Sequence, residues 1–199
     1  MSHLLRTRDF QRTAAKLGMR YSFQDEEGVL PLVRDFRLFR RGWRGKIHHV
    51  LTAQAPLNEW RTHIFDYRYL RWGDKRNKRV EQTVFFLESK ELELPDFYLE
   101  PEHFFHKIGE ALRLIKDIDF EQYTNFSYRY RLTGPDEHYI RQRFGHRMLR
   151  YFNVEHGWTL EGIGYFMLLY KHGKVLSAAK IEELYRAGTQ IYEAILKDQ

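Results

Sequence analysis

Two alternating stretches separated by a short polar link constrain this chain most. In residues 59–72, Phe65, Tyr67 and Tyr69 alternate with Asp66 and Arg68, and in residues 79–89, Val80, Val84 and Phe86 alternate with Glu81 and Thr83. A period of two places successive side chains on opposite faces, as a half-buried antiparallel strand requires. The link from Gly73 to Lys78 carries Gly, Asp and Asn, which suit a hairpin turn. The chain is therefore committed to an antiparallel sheet, and what surrounds the hairpin must fit that sheet.

Residues 46–54 read as a strand ahead of the hairpin, and Tyr21–Phe23 as a short first strand. Pro95 and Pro101 bracket an extended piece. Residues 125–132, 157–164 and 165–171 read as further strands. Apolar spacing predicts helices over 4–17, 102–115, 135–152 and 178–197. Ser177 stands where it caps the last of these, and Gly188 on its apolar stripe suggests a close helix crossing. The expected class is α+β: a mainly antiparallel, twisted sheet with helices packed on one face, about four helices in number, one of them C-terminal. The 199 residues make one compact domain with two lobes, 1–95 and 96–199, and no internal repeat.

The chain has no cysteine, which excludes disulfides, thiolate metal ligands and thiol nucleophiles. No apolar run approaches the roughly 20 residues that span a bilayer. A complete cytoplasmic protein is expected, peripheral to the membrane if it meets one.

Charge is distributed unevenly. Residues 1–90 hold 19 Lys+Arg against 10 Asp+Glu, net +9, while residues 91–199 hold 14 against 17, net −3. Arg34, Arg37, Arg40, Arg41, Arg44 and Lys46 form one basic stretch, expected in a loop before the sheet beside Trp43. Arg68, Arg71, Lys75, Arg76, Lys78 and Arg79 form another around the hairpin tip, beside Trp72. Such a field attracts anionic partners, because guanidinium groups fork onto phosphates and tryptophans stack on bases or sit at lipid interfaces. The candidate anion-binding residues are Arg40, Arg41, Arg44, Lys46, Lys75, Arg76, Lys78 and Arg79. The bland alternative is a solvated hairpin tip whose charges protect the sheet edge.

Other chemistry is weakly signalled. His103 and His106 are three apart on a helix but lack a third ligand; His48 and His49, as strand neighbours, should point apart; His138 and His146 are too far separated for one ion. No metal and no cofactor is expected. Asp117 and Asp119 are candidate paired carboxylates, more simply read as a turn, and Asp66 is expected to pair with Arg68 or a base across the sheet. Gly162 and Gly164 suggest a hairpin bend, and Tyr128 and Tyr130 a strand whose rings could stack on RNA.

The segments Leu51-Thr52, Phe65-Asp66-Tyr67-Arg68-Tyr69, Gln82-Thr83-Val84, Leu94-Pro95, Leu99-Glu100-Pro101-Glu102 and Asp117-Ile118-Asp119-Phe120, then Phe126, Tyr130, Gly134 and Leu168-Leu169-Tyr170, follow one another in an order that resembles a family of uncharacterised bacterial proteins. The resemblance runs from about residue 20 to 197. It implies the same fold and carries no activity; many such relatives carry transmembrane helices before this region, and this chain shows none. The functional expectation is a non-catalytic binding module that sets a basic hairpin against an anionic membrane face or an acidic partner protein. The alternative is non-specific nucleic-acid binding through the same patch.

Overall fold

The computed structural model describes residues 3–55, 59–72, 78–105 and 117–198. Eight strands form one antiparallel sheet: β1 (Arg20–Gln24), β2 (Gly42–Gln54), β3 (Trp60–Arg71), β4 (Arg79–Ser89), β5 (Leu94–Pro101), β6 (Tyr130–Thr133), β7 (Thr159–Gly164) and β8 (Phe166–Tyr170). Their order across the sheet is β1-β2-β3-β4-β8-β7-β5-β6. The first four follow the chain, with β3 and β4 in unbroken register from Trp60↔Ser89 to Leu70↔Arg79. The chain then passes to β5, leaving a gap that the later β7–β8 hairpin fills.

Among the described residues the helical segments are α1 (His3–Leu17), α2 (Val29–Val33), α3 (Glu102–Phe105), α4 (Thr124–Arg129), α5 (Glu137–Arg143), α6 (His146–Val154) and α7 (Ala178–Lys197), plus 3-10 turns at Arg37–Arg40 and Glu121–Tyr123. The class is α+β, as the sequence predicts, with shorter and more numerous helices. No described helix is long and apolar enough to cross a membrane.

Helices α1, α5, α6 and α7 cover one face, where Phe10, Ile140, Phe152, Leu184 and Ile191 pack on Leu51, Ile64, Phe85, Leu99 and Leu169. The other face is covered too. Val29 and Val33 of α2, with Phe36 and Leu38, close over Val50, Phe65, Tyr67, Phe86 and Tyr170. The middle of the sheet is thus buried on both sides rather than half-buried, which is why β3 and β4 are apolar at successive positions as well as alternate ones.

Several expectations are corrected. Residues 124–129 are helical, and only Tyr130–Thr133 pairs as a strand. Phe126 and Tyr130 lie four apart, so one helical turn stacks their rings at 5.9 Å while Tyr128 is 82% exposed. The stacking platform read into Tyr128 and Tyr130 therefore does not exist. The helix expected over 135–152 breaks at Phe144-Gly145; a Cβ on Gly145 would meet the Asp198 side chain at 2.5 Å. Of the helix expected over 102–115, only the Glu102–Phe105 turn is described, and His106 lies outside the described residues. Ser177 occupies the N-cap of α7 without a side-chain capping bond. Gly188 does permit a close approach, but to the sheet: a Cβ there would meet the Phe85 ring at 2.4 Å.

Strand β2 starts at Gly42, so Trp43, Arg44 and Lys46 lie in the sheet and not in a loop before it. It holds two bulges, between Trp43 and Lys46 and between His48 and Leu51, and in each one residue has positive φ: Arg44 at 53° and His49 at 53°. The second bulge turns His49 onto the side already occupied by His48, with ring centroids 5.3 Å apart. The expectation that these histidines point apart fails because a bulge adds a residue and breaks the two-residue alternation.

Candidate functional site

The end of the sheet where β2, β3 and β4 meet the β8–α7 connection holds a cleft of about 610 Å³. Arg41, Arg71, Lys78, Arg79, Glu81 and His172 give it its charge, and Tyr69, Trp72 and Val80 give it apolar wall. Among the described lining residues, four permanent cations face one carboxylate, and Arg41 is also paired from behind with Glu100 at 3.9 Å. Arg41 comes from the first basic stretch and Arg71, Lys78 and Arg79 from the second, so the fold brings part of each together. The Trp72 backbone N–H donates to the Arg41 carbonyl at 3.3 Å, and the Trp43 and Trp72 rings lie 6.3 Å apart. Trp72 is 61% exposed.

Arg41 is held rigidly. Its Nη2 donates to Tyr98 Oη and its Nη1 lies 3.2 Å from His172 Nδ1. Tyr98 Oη donates to Glu100 Oε2 at 3.0 Å, and His172 Nε2 lies 3.3 Å from Tyr98 Oη. Burial works against the charge on Arg41, but the fields of Tyr170, Tyr98, Glu100 and Glu161 outweigh it and raise its pKa. Burial lowers the pKa of His172, opposed by its bond to Glu100. Tyr98 and Glu100 lie behind Arg41, outside the lining of the cleft.

Beneath this lies Glu161, 2% exposed. It accepts from the Arg37 backbone N–H at 2.6 Å, the Leu38 N–H at 3.2 Å and Tyr170 Oη at 2.8 Å. Burial raises its pKa, opposed by those bonds and by Arg41. Glu161 thereby anchors the Arg37–Arg40 turn that delivers Arg41 to the cleft. In the floor, buried Gln82 accepts from the Gly173 N–H at 3.0 Å, while its Nε2 donor finds no acceptor among the described residues.

The remaining candidates are placed as follows. Arg40 pairs at the surface with Asp35 at 3.3 Å, and Arg44 stacks over Trp43 at 4.7 Å. Lys46 lines a second cleft of about 830 Å³ on the α1 side, with Arg6, His48, Asp66, Arg68 and Glu81. Lys75 and Arg76 lie outside the described residues. Asp117 accepts from the Leu132 N–H at 2.9 Å; burial, offset by that bond, raises its pKa to about 6.

Asp66 pairs neither with Arg68 nor, among the described residues, with a basic residue across the sheet, where it accepts from Thr83 Oγ1 at 2.7 Å. Arg6 of α1 grips it, Nε to Oδ2 and Nη2 to Oδ1, each at 2.7 Å. The ligand atoms of His48, Asp66 and Glu81 lie within 4.8 Å of one another, a grouping set by strand register, since His48 pairs with Asp66 and Glu81 with Arg68, and so not visible in any one segment of the sequence. The donor set is mixed nitrogen and oxygen, but a guanidinium already bonds both Asp66 oxygens. That supplies the positive charge a cation would bring and opposes a second one. The signal that was legible for the main cleft was charge density; Gln82, His172 and Glu161 gave none, because neutral or isolated polar residues in apolar runs look like ordinary strand residues.

No family model matches the chain, and no curated protein matches it. Among solved structures, the chain is similar to the mycobacterial trehalose monomycolate transport factor A, TtfA, with TM-score 0.65 and 14% sequence identity, covering 96% of this chain and 94% of that one. At this identity the likeness establishes one thing: the two chains share a fold over nearly their whole lengths.

Proposed function

We propose that the chain is a non-catalytic binding module that sets the basic end of its sheet against an anionic membrane surface. The observation that carries this is the convergence of Arg41, Arg71, Lys78 and Arg79 on one cleft beside exposed Trp72. An anionic lipid surface offers what both residue types take: negative charge for the cations and an interfacial layer for the indoles. Both ring nitrogens of His172 are turned to protein groups, which favours holding a ligand over moving a proton. The neighbour of the same fold is a transport factor, which supports an accessory role over a catalytic one.

The test is co-sedimentation with neutral and anionic vesicles at low and high salt, with a short DNA duplex as competitor. Pelleting with anionic vesicles alone, lost in salt, is the expected result. Each cation near such a surface is worth about 1 kcal/mol, so R71Q/K78Q/R79Q should weaken binding roughly 100-fold. Release by DNA would favour the nucleic-acid reading. Unchanged binding by the triple variant would remove the cleft from the interaction. No pelleting at all would turn the search toward an acidic protein partner.

A further inference from the structure

We infer that the cleft of Arg41, Arg71, Lys78, Arg79 and Gln82 is a phosphoryl-recognition site, selecting a terminal phosphomonoester over a phosphodiester. The inference rests on the reading of this end as an anion-docking surface and makes it chemically specific.

Three independent features point this way. The first is the excess of fixed cations. Among the described residues no carboxylate pairs with Arg71 or Lys78, and Arg79 shares Glu81, at 3.5 Å, with His48. A dianionic group with three terminal oxygens matches several converging donors; a diester, with one charge and two free oxygens, satisfies fewer. The second is the state of Arg41. Tyr98 and His172 each engage one Nη and hold the guanidinium in place, and it stays charged, so its remaining N–H groups are oriented before a ligand arrives. Such preorganisation lowers the ordering cost of binding.

The third feature is Gln82. Its side chain is 99% buried at 1% exposure, and its Oε1 is fixed by the Gly173 N–H, which orients the amide and leaves Nε2 as the donor without an acceptor. An unsatisfied buried donor costs stability, and in a cleft floor it marks where an acceptor belongs. Cations alone could be a solvated surface; a buried orphan donor beneath them is not explained by that. The cleft volume of about 610 Å³ is far larger than one phosphate, and Trp72, Tyr69 and Val80 line its remainder, so the phosphoryl group is the end of a larger molecule with an apolar or planar part.

Two sources carry this chemistry, a lipid headgroup and a soluble phosphomonoester, and the experiment separates them. Calorimetry of the full chain with inorganic phosphate and with glycerol 1-phosphate tests the soluble arm. Vesicles containing phosphatidic acid are compared with vesicles containing phosphatidylglycerol, adjusted to equal surface charge. The expected result is saturable binding of a soluble probe and at least tenfold preference for the phosphatidic acid vesicles. Q82M and R71Q/K78Q should each cut the soluble binding fivefold or more with the melting temperature retained, while K197Q, outside the cleft, changes nothing. Equal affinity for the two vesicle types, with no soluble binding, would overturn the inference and leave membrane docking standing. Soluble binding with no vesicle pelleting would keep the phosphoryl site and remove the membrane reading. Soluble binding that persists in both cleft variants would place the phosphate elsewhere and overturn the inference.

Discussion

Removing the guanidinium of Arg6 is expected to cost a large part of the folding free energy. Arg6 is 6% exposed and Asp66 1%. Besides its two bonds to Asp66, Arg6 donates to Thr83 Oγ1 at 3.0 Å and to the Leu176 carbonyl, so one side chain ties α1 to β3, β4 and the segment before α7. In R6M the Asp66 carboxylate keeps the Thr83 hydroxyl at 2.7 Å but stays buried without its counter-charge. Breaking a buried pair from one side costs about 3–5 kcal/mol, against a typical total stability of about 5–15 kcal/mol. D66N should cost a similar amount by stranding the guanidinium. In R6M/D66N neither charge remains and the amide still accepts from Thr83, so the double variant should be at least about 2 kcal/mol more stable than the sum of the singles implies. Urea unfolding of all four proteins, followed by tryptophan fluorescence, closes the cycle. A cost below about 1 kcal/mol for R6M, or strict additivity in the double variant, would refute the claim that this pair clamps the helix to the sheet.

Two other outcomes follow from local geometry. G188A should lose about 1–3 kcal/mol in urea unfolding despite the better helix propensity of alanine, because its Cβ would meet the fully buried Phe85 ring at 2.4 Å. His63 is 1% exposed, and burial lowers its pKa from 6.5 to about 4, so folding favours the neutral ring. Its contribution is complete above pH 6.5 and fades as pH falls toward 4. Between pH 7.5 and 5 the wild type should therefore lose about 2 kcal/mol more than H63F, which keeps a ring against Phe86 but does not titrate. Equal losses in the two proteins would show that His63 titrates normally. Comparing the pair also cancels Asp117, whose raised pKa has the opposite sign and destabilises the fold as pH rises through about 6.

What the sequence shows and what it hides divide along physical lines. The β3–β4 hairpin is legible because alternation is local: each residue's face follows from its neighbour's. Strand β6 is mistaken for a longer strand because Tyr128 and Tyr130 alternate with arginines, whereas the contact that decides is Phe126 on Tyr130, spaced for a helical turn. The second buried face is hidden because it depends on residues 29–38 returning over the sheet, a long-range event that no period reports. For the cleft, the basic stretches are visible as composition, but which cations converge is decided by the sheet. Arg41 and Arg71 meet because Gly42 pairs with Arg71, while Arg40, one residue earlier, faces Asp35 at the surface. The partners that hold Arg41, Glu100 and His172, come from β5 and from just beyond β8, and nothing local links them to it.

The strand order also sets a timetable for folding. Strands β1 to β4 neighbour one another in sequence and can zip together as soon as they exist. Strand β5 cannot join them: its place is two strands away, beyond β8 and β7. Until residues 159–170 have been made, β4 is an open edge bearing Val84, Phe85, Phe86 and Leu87, and β5 and β6 have only each other. An open apolar edge is a template for wrong pairing. During synthesis the chain thus spends about 80 residues of elongation, at roughly 5–20 residues per second, with its sheet unsealed. The β7–β8 hairpin is the keystone: it enters last, joins the two halves, and leaves neither able to finish alone.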